Sequence, residues 1–227
     1  MLFTVEHLAS LRLEGKVVLS LISGFWGLGD YPKRFTELRW ILSVSDPGLS
    51  KALRRLQVEG IVMRNDRGLY HVKPELRDSL GALLRPFYGS FLLERMRLVV
   101  EGLRRFDGVA SLIVFGSVAQ GKANYDSDVD LLIVTDEGSE NIEEEVHKTI
   151  SQMVSKMGIP IEVTIISLED LKILLRHELQ FLFGLLQGYI FLYDRVGAVG
   201  LLNAKEEDVK KRYEYHGEVP IWLPRTK

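Results

Sequence analysis

The apolar residues between positions 49 and 58 repeat at the spacing of one helix face. Leu49, Leu53 and Leu56 stand at i, i+4 and i+7, which predicts a buried stripe on a helix over Pro47–Val58. Ser45, two residues before Pro47, is a suitable N-cap, and proline is well tolerated in the first helical turn. The pattern therefore predicts a helix that has one buried face and one polar face.

Short apolar segments after this helix predict a β-hairpin. Ile61–Arg64 and Leu69–Val72 are expected to be strands, and the NDRG tetrad between them has the composition of a turn. Two helices are predicted upstream, over Leu11–Ile22 and Phe35–Leu42. Three helices followed by a hairpin give the element order of a winged helix-turn-helix domain, which we expect over residues 1–76.

The remaining chain changes from a helical to a mixed pattern. Residues 77–106 are expected to form a helical linker that is broken near Pro86 and Gly89. Strands are then predicted over Ser111–Phe115, Val129–Val134 and Ile159–Ser167, with a helix over Ser139–Met157 that Ser139 would cap. This alternation predicts an α/β (α+β) domain with a mixed sheet over residues 107–170, followed by a C-terminal helical extension over 171–227 that includes helices at Leu168–Leu175 and Glu178–Leu186.

The composition narrows the function classes. The 227 residues include no cysteine, which excludes disulfides, cysteine nucleophiles and thiolate metal sites. No apolar run reaches the roughly 18 residues of a membrane span, and Glu6 and Glu14 make the N-terminus unlike a signal peptide, so a cytoplasmic protein with no membrane partner is expected. The net charge is −2, yet Lys33–Lys73 contains nine Lys/Arg against four Asp/Glu. A basic segment in an otherwise acidic chain suggests that one part binds a polyanion and another binds cations.

The candidate chemistry lies in the segment SLIVFGSVAQGKANYDSDVDLLIV. Gly116-Ser117 follows a strand and opens a helix, so its free backbone N–H groups and the Ser117 hydroxyl suit a phosphate. Asp128 and Asp130 then stand at i and i+2 of a strand, so both carboxylates project from one face, roughly 6.5–7 Å apart along the chain. Two like charges on one face are best tolerated when a cation binds between them.

The segment has three other possible interpretations. A solvated Asp-rich turn is the commonest explanation of Asp-x-Asp alone, but the preceding Gly-Ser favours a functional site. A P-loop would need Ser or Thr where Ala123 stands, and its lysine would begin a helix, whereas Lys122 leads through a turn to a strand. Metal-dependent glycosyltransferases also use Asp-x-Asp, but they do not require the Gly-Ser pair, and this segment is short for one.

Gly-Ser, ten intervening residues and Asp-x-Asp in a strand resemble the signature of the polymerase β superfamily of nucleotidyltransferases, and the SDVDL detail resembles its minimal, MNT-type group. The resemblance spans about Val109–Ser167. It implies a third carboxylate on a neighbouring strand, for which Glu162 is the candidate because it interrupts an apolar strand; the alternative is an outward residue on an edge strand. Relatives often carry arginine where this chain has Gln120, so Lys122 is expected to contact the triphosphate, together with Gly116, Ser117 and Ser127.

The resemblance implies two-metal nucleotidyl transfer with Mg²⁺ or Mn²⁺ held by Asp128, Asp130 and Glu162, with ATP the expected donor and an unidentified hydroxyl as acceptor. The alternative is a DNA-binding regulator whose nucleotidyltransferase-like domain only senses nucleotide or is inactive.

The N-terminal segment resembles winged-helix transcriptional regulators of the ArsR and HxlR kind. In those families the helix after the turn enters the major groove of double-stranded DNA and the wing contacts the backbone. The resemblance implies a homodimer and a DNA-binding surface formed by Ser50, Lys51, Arg54, Arg55, Arg64 and Arg67. The competing interpretation is that these side chains only solvate a helix face, or that the same face binds a protein.

Overall fold

A computed structural model describes residues 12–22, 32–125, 127–136, 142–216 and 221–225. The chain divides into two compact units. The first comprises Met1–Met96, Gly121–Asp128 and Ile150–Ile161, and the second comprises Arg97–Gln120, Val129–Thr149 and Glu162–Lys227. Within the described residues, no helix is both long enough and apolar enough to cross a membrane.

The described residues of the N-terminal part form three helices, a β-hairpin and two more helices. In chain order these are α1 (Leu13–Ile22), α2 (Phe35–Leu42), α3 (Asp46–Val58), β1 (Val62–Arg64), β2 (Tyr70–Val72), α4 (Arg77–Leu84) and α5 (Tyr88–Leu103). The order agrees with the one that the sequence predicts; Leu11, the expected first residue of the first helix, lies outside the described residues. The expected break in the linker is a single 3-10 turn at Arg85–Phe87.

Helix α3 forms where the sequence predicts it, because the capping residue and the spacing of the buried leucines both favour a helix over the same residues. The Ser45 hydroxyl accepts a hydrogen bond from the Gly48 N–H at 3.4 Å and so caps the first turn. Leu49, Leu53 and Leu56 are fully or almost fully buried. The helix therefore buries one leucine stripe and leaves its polar face exposed.

The hairpin is closed by its turn residues and extended by a neighbour that the sequence did not reveal. The Asn65 side-chain oxygen accepts from the N–H groups of Arg67 and Leu69, both at 3.0 Å, which fixes the turn. Lys33 and Tyr70 exchange backbone hydrogen bonds of 3.0 and 2.9 Å, so a short extended piece before α2 pairs with β2. The sequence around the fully buried Lys33 has no recognisable strand pattern, because this pairing consists of a single bridge.

The second unit is built on a four-stranded sheet. Its elements and those around it are β3 (Val109–Phe115), α6 (Gly116–Ala119), β4 (Val129–Thr135), α7 (Ile142–Met157), β5 (Ile161–Ser167), α8 (Leu168–His177), α9 (Gln180–Leu185), β6 (Tyr189–Asp194), α10 (Ala198–Arg212), β7 (Tyr213–His216) and β8 (Ile221–Pro224). The strand order is β5-β4-β3-β6, and β3 is antiparallel to both β4 and β6. Helix α7 connects the adjacent strands β4 and β5, so the sheet is mixed. Ser139, the expected cap of α7, lies outside the described residues.

The C-terminal segment contributes more than the predicted helices. Helices α8, α9 and α10 bury leucines such as Leu171, Leu182 and Leu202 against Ile113 and Leu132 on one face of the sheet. The same segment supplies β6 to the sheet and the hairpin β7–β8, neither of which the sequence predicts. The YIFLY run of β6 is short and has no polar–apolar alternation, and such a run cannot be distinguished from a buried helical segment by periodicity.

Candidate active site

Three carboxylates come together at the end of strand β4. Asp128 directly precedes β4, Asp130 is its second residue, and Glu162 is the second residue of the neighbouring strand β5. Each offers one carboxylate oxygen, and these oxygens all lie within 4.8 Å of one another. Asp128 and Asp130 are half-buried and Glu162 is exposed. The structure thus brings together the three acidic residues that the sequence predicts as a group.

Gly116 is the residue against which Asp130 packs. Strands β3 and β4 pair Phe115 with Asp130, so Gly116 follows directly beyond that pair. The φ angle of Gly116 is +67°, and a Cβ atom at this position would lie 1.9 Å from Asp130 Oδ2. Any side chain here would displace the carboxylate, so glycine is required by the acidic site itself. This reason adds to the phosphate-binding reason that the sequence suggested.

The remaining residues predicted to bind nucleotide differ in their surroundings. Ser117 is half-buried in the first turn of α6, and Lys122 is exposed. The Ser127 hydroxyl accepts from the Asn124 N–H at 3.0 Å and lies 3.5 Å from Asn124 Oδ1, so it closes the turn before Asp128. Gln120 packs on Gly188, where a Cβ atom would lie 2.9 Å from Gln120 Cγ.

A polar group on β6 and α10 lies in the same row of the sheet. Phe115 pairs with Asp130 on one side and with Tyr189 on the other, so these three side chains share one face. The Tyr189 hydroxyl donates to Glu206 Oε2 at 2.5 Å and is 2.9 Å from Asn203 Oδ1. Burial, and then the hydrogen bond to Glu206, raise the pKa of Tyr189. No sequence signal indicated this group, because β6 was not predicted.

The six residues predicted to contact DNA are all exposed, but they are not equally available. They are Ser50, Lys51, Arg54, Arg55, Arg64 and Arg67. Arg55 forms an ion pair of 3.0 Å with Glu14, whose side chain is mostly buried in α1. Arg64 donates from Nε to the Gly68 carbonyl at 3.3 Å and stacks 5.5 Å from the Tyr70 ring centroid.

The other three cations of this surface have a simpler environment. Lys51, Arg54 and Arg67 form no ion pair within the part of the chain that the structure describes. They are the side chains of this surface that need not break an existing contact to bind a phosphate.

Comparison with known proteins identifies the class of the domain that carries the acidic group. Residues 96–180 match the family model described as Nucleotidyltransferase domain, so the chain contains a nucleotidyltransferase-like domain. The crystal structure of a candidate nucleotidyltransferase from Sulfolobus solfataricus shares 14% identity, with 48% of this chain and 87% of that chain covered and a TM-score of 0.33. A TM-score this low does not establish a shared fold. No curated protein matches this sequence.

Proposed function

We propose that the protein is a metal-dependent nucleotidyltransferase, which moves a nucleoside monophosphate from a nucleoside triphosphate, with ATP the expected donor, to a hydroxyl acceptor. The observation that supports this most strongly is the group of Asp128, Asp130 and Glu162 beside Gly116, within a domain that matches the nucleotidyltransferase family model. A nucleotide substrate follows from the class of domain, and the acidic group suits the cations that accompany a triphosphate.

The three carboxylates fit Mg²⁺ or Mn²⁺ in chemistry and in spacing. Carboxylate oxygens are the ligands that these hard cations prefer, at roughly 2.0–2.1 Å from Mg²⁺. The three oxygens lie within 4.8 Å of one another, a separation at which they could share a divalent cation. Asp130 is already oriented by its contact with Gly116.

The side chains take distinct roles in this proposal. Asp128 and Asp130 hold the cations of the triphosphate, and Glu162 completes the ligand set from β5. The bound cations neutralise charge on the triphosphate and lower the pKa of the attacking hydroxyl. Gly116 and Ser117 offer backbone N–H groups and a hydroxyl to the terminal phosphates, and the exposed Lys122 adds positive charge. Ser127 acts by holding the turn that leads to Asp128.

Turnover with labelled nucleotides tests this proposal. The full chain is incubated with α-labelled nucleoside triphosphates and Mg²⁺, and pyrophosphate release and transfer of label to an acceptor fraction are followed. We expect activity that EDTA removes and that Asp128→Asn and Asp130→Asn each reduce by about 100-fold or more, because losing a ligand should cost at least as much as the roughly 10–100-fold lost with an outer partner of a metal site. Asp66→Asn, at an exposed hairpin position, should leave the activity unchanged. Activity that persists in both site variants would contradict the proposal.

A second activity is proposed for the N-terminal unit, namely binding of double-stranded DNA through α3 and the β1–β2 hairpin in a winged-helix arrangement. It is supported by the exposed cations Lys51, Arg54 and Arg67, by the paired extended piece at Lys33, and by the local excess of positive charge. Arg55 supports α3 through its ion pair with Glu14 and is expected to contribute less than Arg54 to phosphate contacts.

The alternative to catalysis is a regulator that binds nucleotide without transferring it. The presence of all three carboxylates favours transfer, because a sensor needs no complete ligand set. Nucleotide binding without pyrophosphate release, for every acceptor fraction and divalent cation tried, would favour the regulator. A homodimer is expected from the winged-helix resemblance alone and is tested by sedimentation.

A further inference from the structure

The loop that leads to Asp128 is attached to helices α4 and α5. The Tyr125 hydroxyl donates to the Gly81 carbonyl of α4 at 2.8 Å. The Tyr125 ring lies 4.8 Å from the Tyr88 ring, which is buried at the start of α5. A Cβ atom on Gly89 of α5 would lie 3.6 Å from the Cβ of Ala123, so the loop backbone also approaches this helix closely. These contacts all lie within the first unit.

Asp128 depends on this loop more than Asp130 does. Asp130 is paired with Phe115 in the sheet and rests on Gly116, so the strand register fixes its position. Asp128 precedes the first residue of β4 and has no partner in the β3–β4 register. Ser127, which directly precedes Asp128, exchanges hydrogen bonds with Asn124, the residue before Tyr125. The attachment of Tyr125 is therefore a tertiary contact, within the described part of this loop, that can position Asp128.

We infer that Tyr125 is a positioning residue for Asp128, the proposed metal ligand, and that it acts through its hydrogen bond to the Gly81 carbonyl of α4. This inference rests on the proposed function, in which Asp128 holds a divalent cation. In this role Tyr125 is not itself a ligand of the cation; it acts through the backbone that leads to Asp128. Divalent-ion affinity thereby depends on a helix outside the nucleotidyltransferase-like domain.

The hydrogen bond from Tyr125 to Gly81 has the chemistry of a permanent structural contact. Burial, and then the neighbouring Tyr88, raise the pKa of Tyr125, while Arg85 opposes them, so the hydroxyl stays protonated and remains a donor. The Gly81 carbonyl also accepts from the Arg85 N–H at the end of α4, so it keeps a partner when the tyrosine hydroxyl is removed. Tyr125→Phe therefore removes one hydrogen bond and retains both the ring contact and the helix end.

The test compares Tyr125→Phe with Tyr193→Phe in the full chain. Tyr193 is a half-buried residue of β6 whose hydroxyl has no hydrogen-bond partner within the described residues, so the same atom is removed without loss of a contact. Mn²⁺ binding is measured by electron paramagnetic resonance, and nucleotide turnover is measured as a function of Mn²⁺ concentration. For Tyr125→Phe we expect a Kd for Mn²⁺ about tenfold higher, the scale of a lost outer contact at a metal site, with kcat restored at saturating Mn²⁺. For Tyr193→Phe we expect wild-type values.

The possible results separate the inference from the proposed function. If Asp130→Asn abolishes Mn²⁺ binding while Tyr125→Phe binds Mn²⁺ as tightly as wild type, the inference is wrong and the metal site stands. A lower Tm for Tyr125→Phe with an unchanged Kd for Mn²⁺ also overturns it, because the contact is then only structural. If Asp130→Asn itself binds Mn²⁺ normally, the proposed metal site fails first.

Discussion

At the scale of single residues, the position of the Asp130 carboxylate depends on its close contact with Gly116. Gly116 and Gly121 both have positive φ angles, +67° and +69°. Only Gly116 faces Asp130; a Cβ atom on Gly121 would meet nothing within 4 Å. Substitution of either glycine strains the backbone, but only substitution of Gly116 also displaces the Asp130 carboxylate. Comparing the two substitutions therefore separates these two effects.

Gly116→Ala should lose divalent-ion binding, whereas Gly121→Ala should not. Both variants place an L-residue in the left-handed region, which costs about 1–2 kcal/mol of folding free energy. In Gly116→Ala the new methyl group must also displace Asp130, so we expect the larger loss of stability and at least a tenfold rise in the Kd for Mn²⁺. Urea unfolding and Mn²⁺ titration check both effects. Equal Mn²⁺ affinity in the two variants would show that Gly116 does not position Asp130.

The buried Lys33 predicts a pH dependence of stability. Burial lowers the pKa of Lys33 from 10.5 to about 8, and Glu37 opposes this shift. The cost of burying the charged form is present in full below pH 8 and is relieved between about pH 8 and 10.5, where the unfolded state binds more protons than the folded state. A shift of this size corresponds to roughly 3 kcal/mol.

The measurement is the pH dependence of urea unfolding for wild type and Lys33→Met. Relative to Lys33→Met, the free energy of unfolding of the wild type should increase between pH 8 and 10.5. Parallel curves for the two proteins over this range would mean that Lys33 titrates normally in the folded state.

At the scale of elements, the parts with a long repeating pattern were predictable from the sequence and the parts with short contacts were not. Helix α3 combines a cap, a leucine stripe and a terminating Gly60 at φ +69°, so several local signals agree on it. Strand β4 carries its acidic pair at the start of an apolar run, and that pair was visible for the same reason. Strand β6 and the Lys33–Tyr70 bridge depend on distant partners, which no local pattern encodes.

The candidate site divides in the same way. The pairing of Asp128 with Asp130 could be predicted because strand alternation places them on one face. Glu162 was predicted because the family resemblance implies a third carboxylate and Glu162 interrupts an apolar strand. The role of Gly116 as the support of Asp130 could not, since it depends on the side-chain contact across the β3–β4 pair. The turn contact of Ser127 and the attachment of Tyr125 to α4 depend on tertiary packing in the same way.

The exposed cations of α3 and the hairpin predict salt-dependent DNA binding. Arg54→Ala combined with Arg67→Ala should weaken binding to a random duplex and lower the slope of log K against log salt by about two units, because each lost phosphate contact releases about one counterion fewer. Arg104→Ala combined with Arg105→Ala, two exposed arginines after α5, is the matched control and should leave the slope unchanged. Fluorescence anisotropy at several salt concentrations gives the slopes. If wild type shows no salt-dependent binding, the exposed face is better explained as a protein-binding surface.

At the scale of the whole molecule, the chain carries an acidic group of three carboxylates and, separately, a basic segment whose charge suits a polyanion. The net charge of −2 conceals this, since nine cations and four anions lie between Lys33 and Lys73. The two proposals are independent, because the carboxylates proposed for nucleotidyl transfer and the arginines proposed for DNA binding are different residues. Each set of variants should therefore leave the other activity intact.

Thermal unfolding of the full chain should report metal binding at the acidic site. Without divalent ions, the Asp128→Asn, Asp130→Asn double variant should melt at or slightly above the wild-type Tm, because repulsion between the carboxylates is removed. With Mn²⁺ at about 100 times its Kd, the wild type should gain roughly 2.7 kcal/mol, and the double variant should gain none. An equal Mn²⁺-dependent rise in Tm for both proteins would place the bound ion elsewhere.

The most direct test of the central claim is a crystal structure of the full chain with Mn²⁺ and a non-hydrolysable nucleoside triphosphate, with anomalous diffraction recorded at the manganese edge. We expect anomalous density between the carboxylates of Asp128, Asp130 and Glu162, with the terminal phosphates beside Gly116 and Ser117. Manganese bound away from these carboxylates, or a triphosphate bound without them, would contradict it.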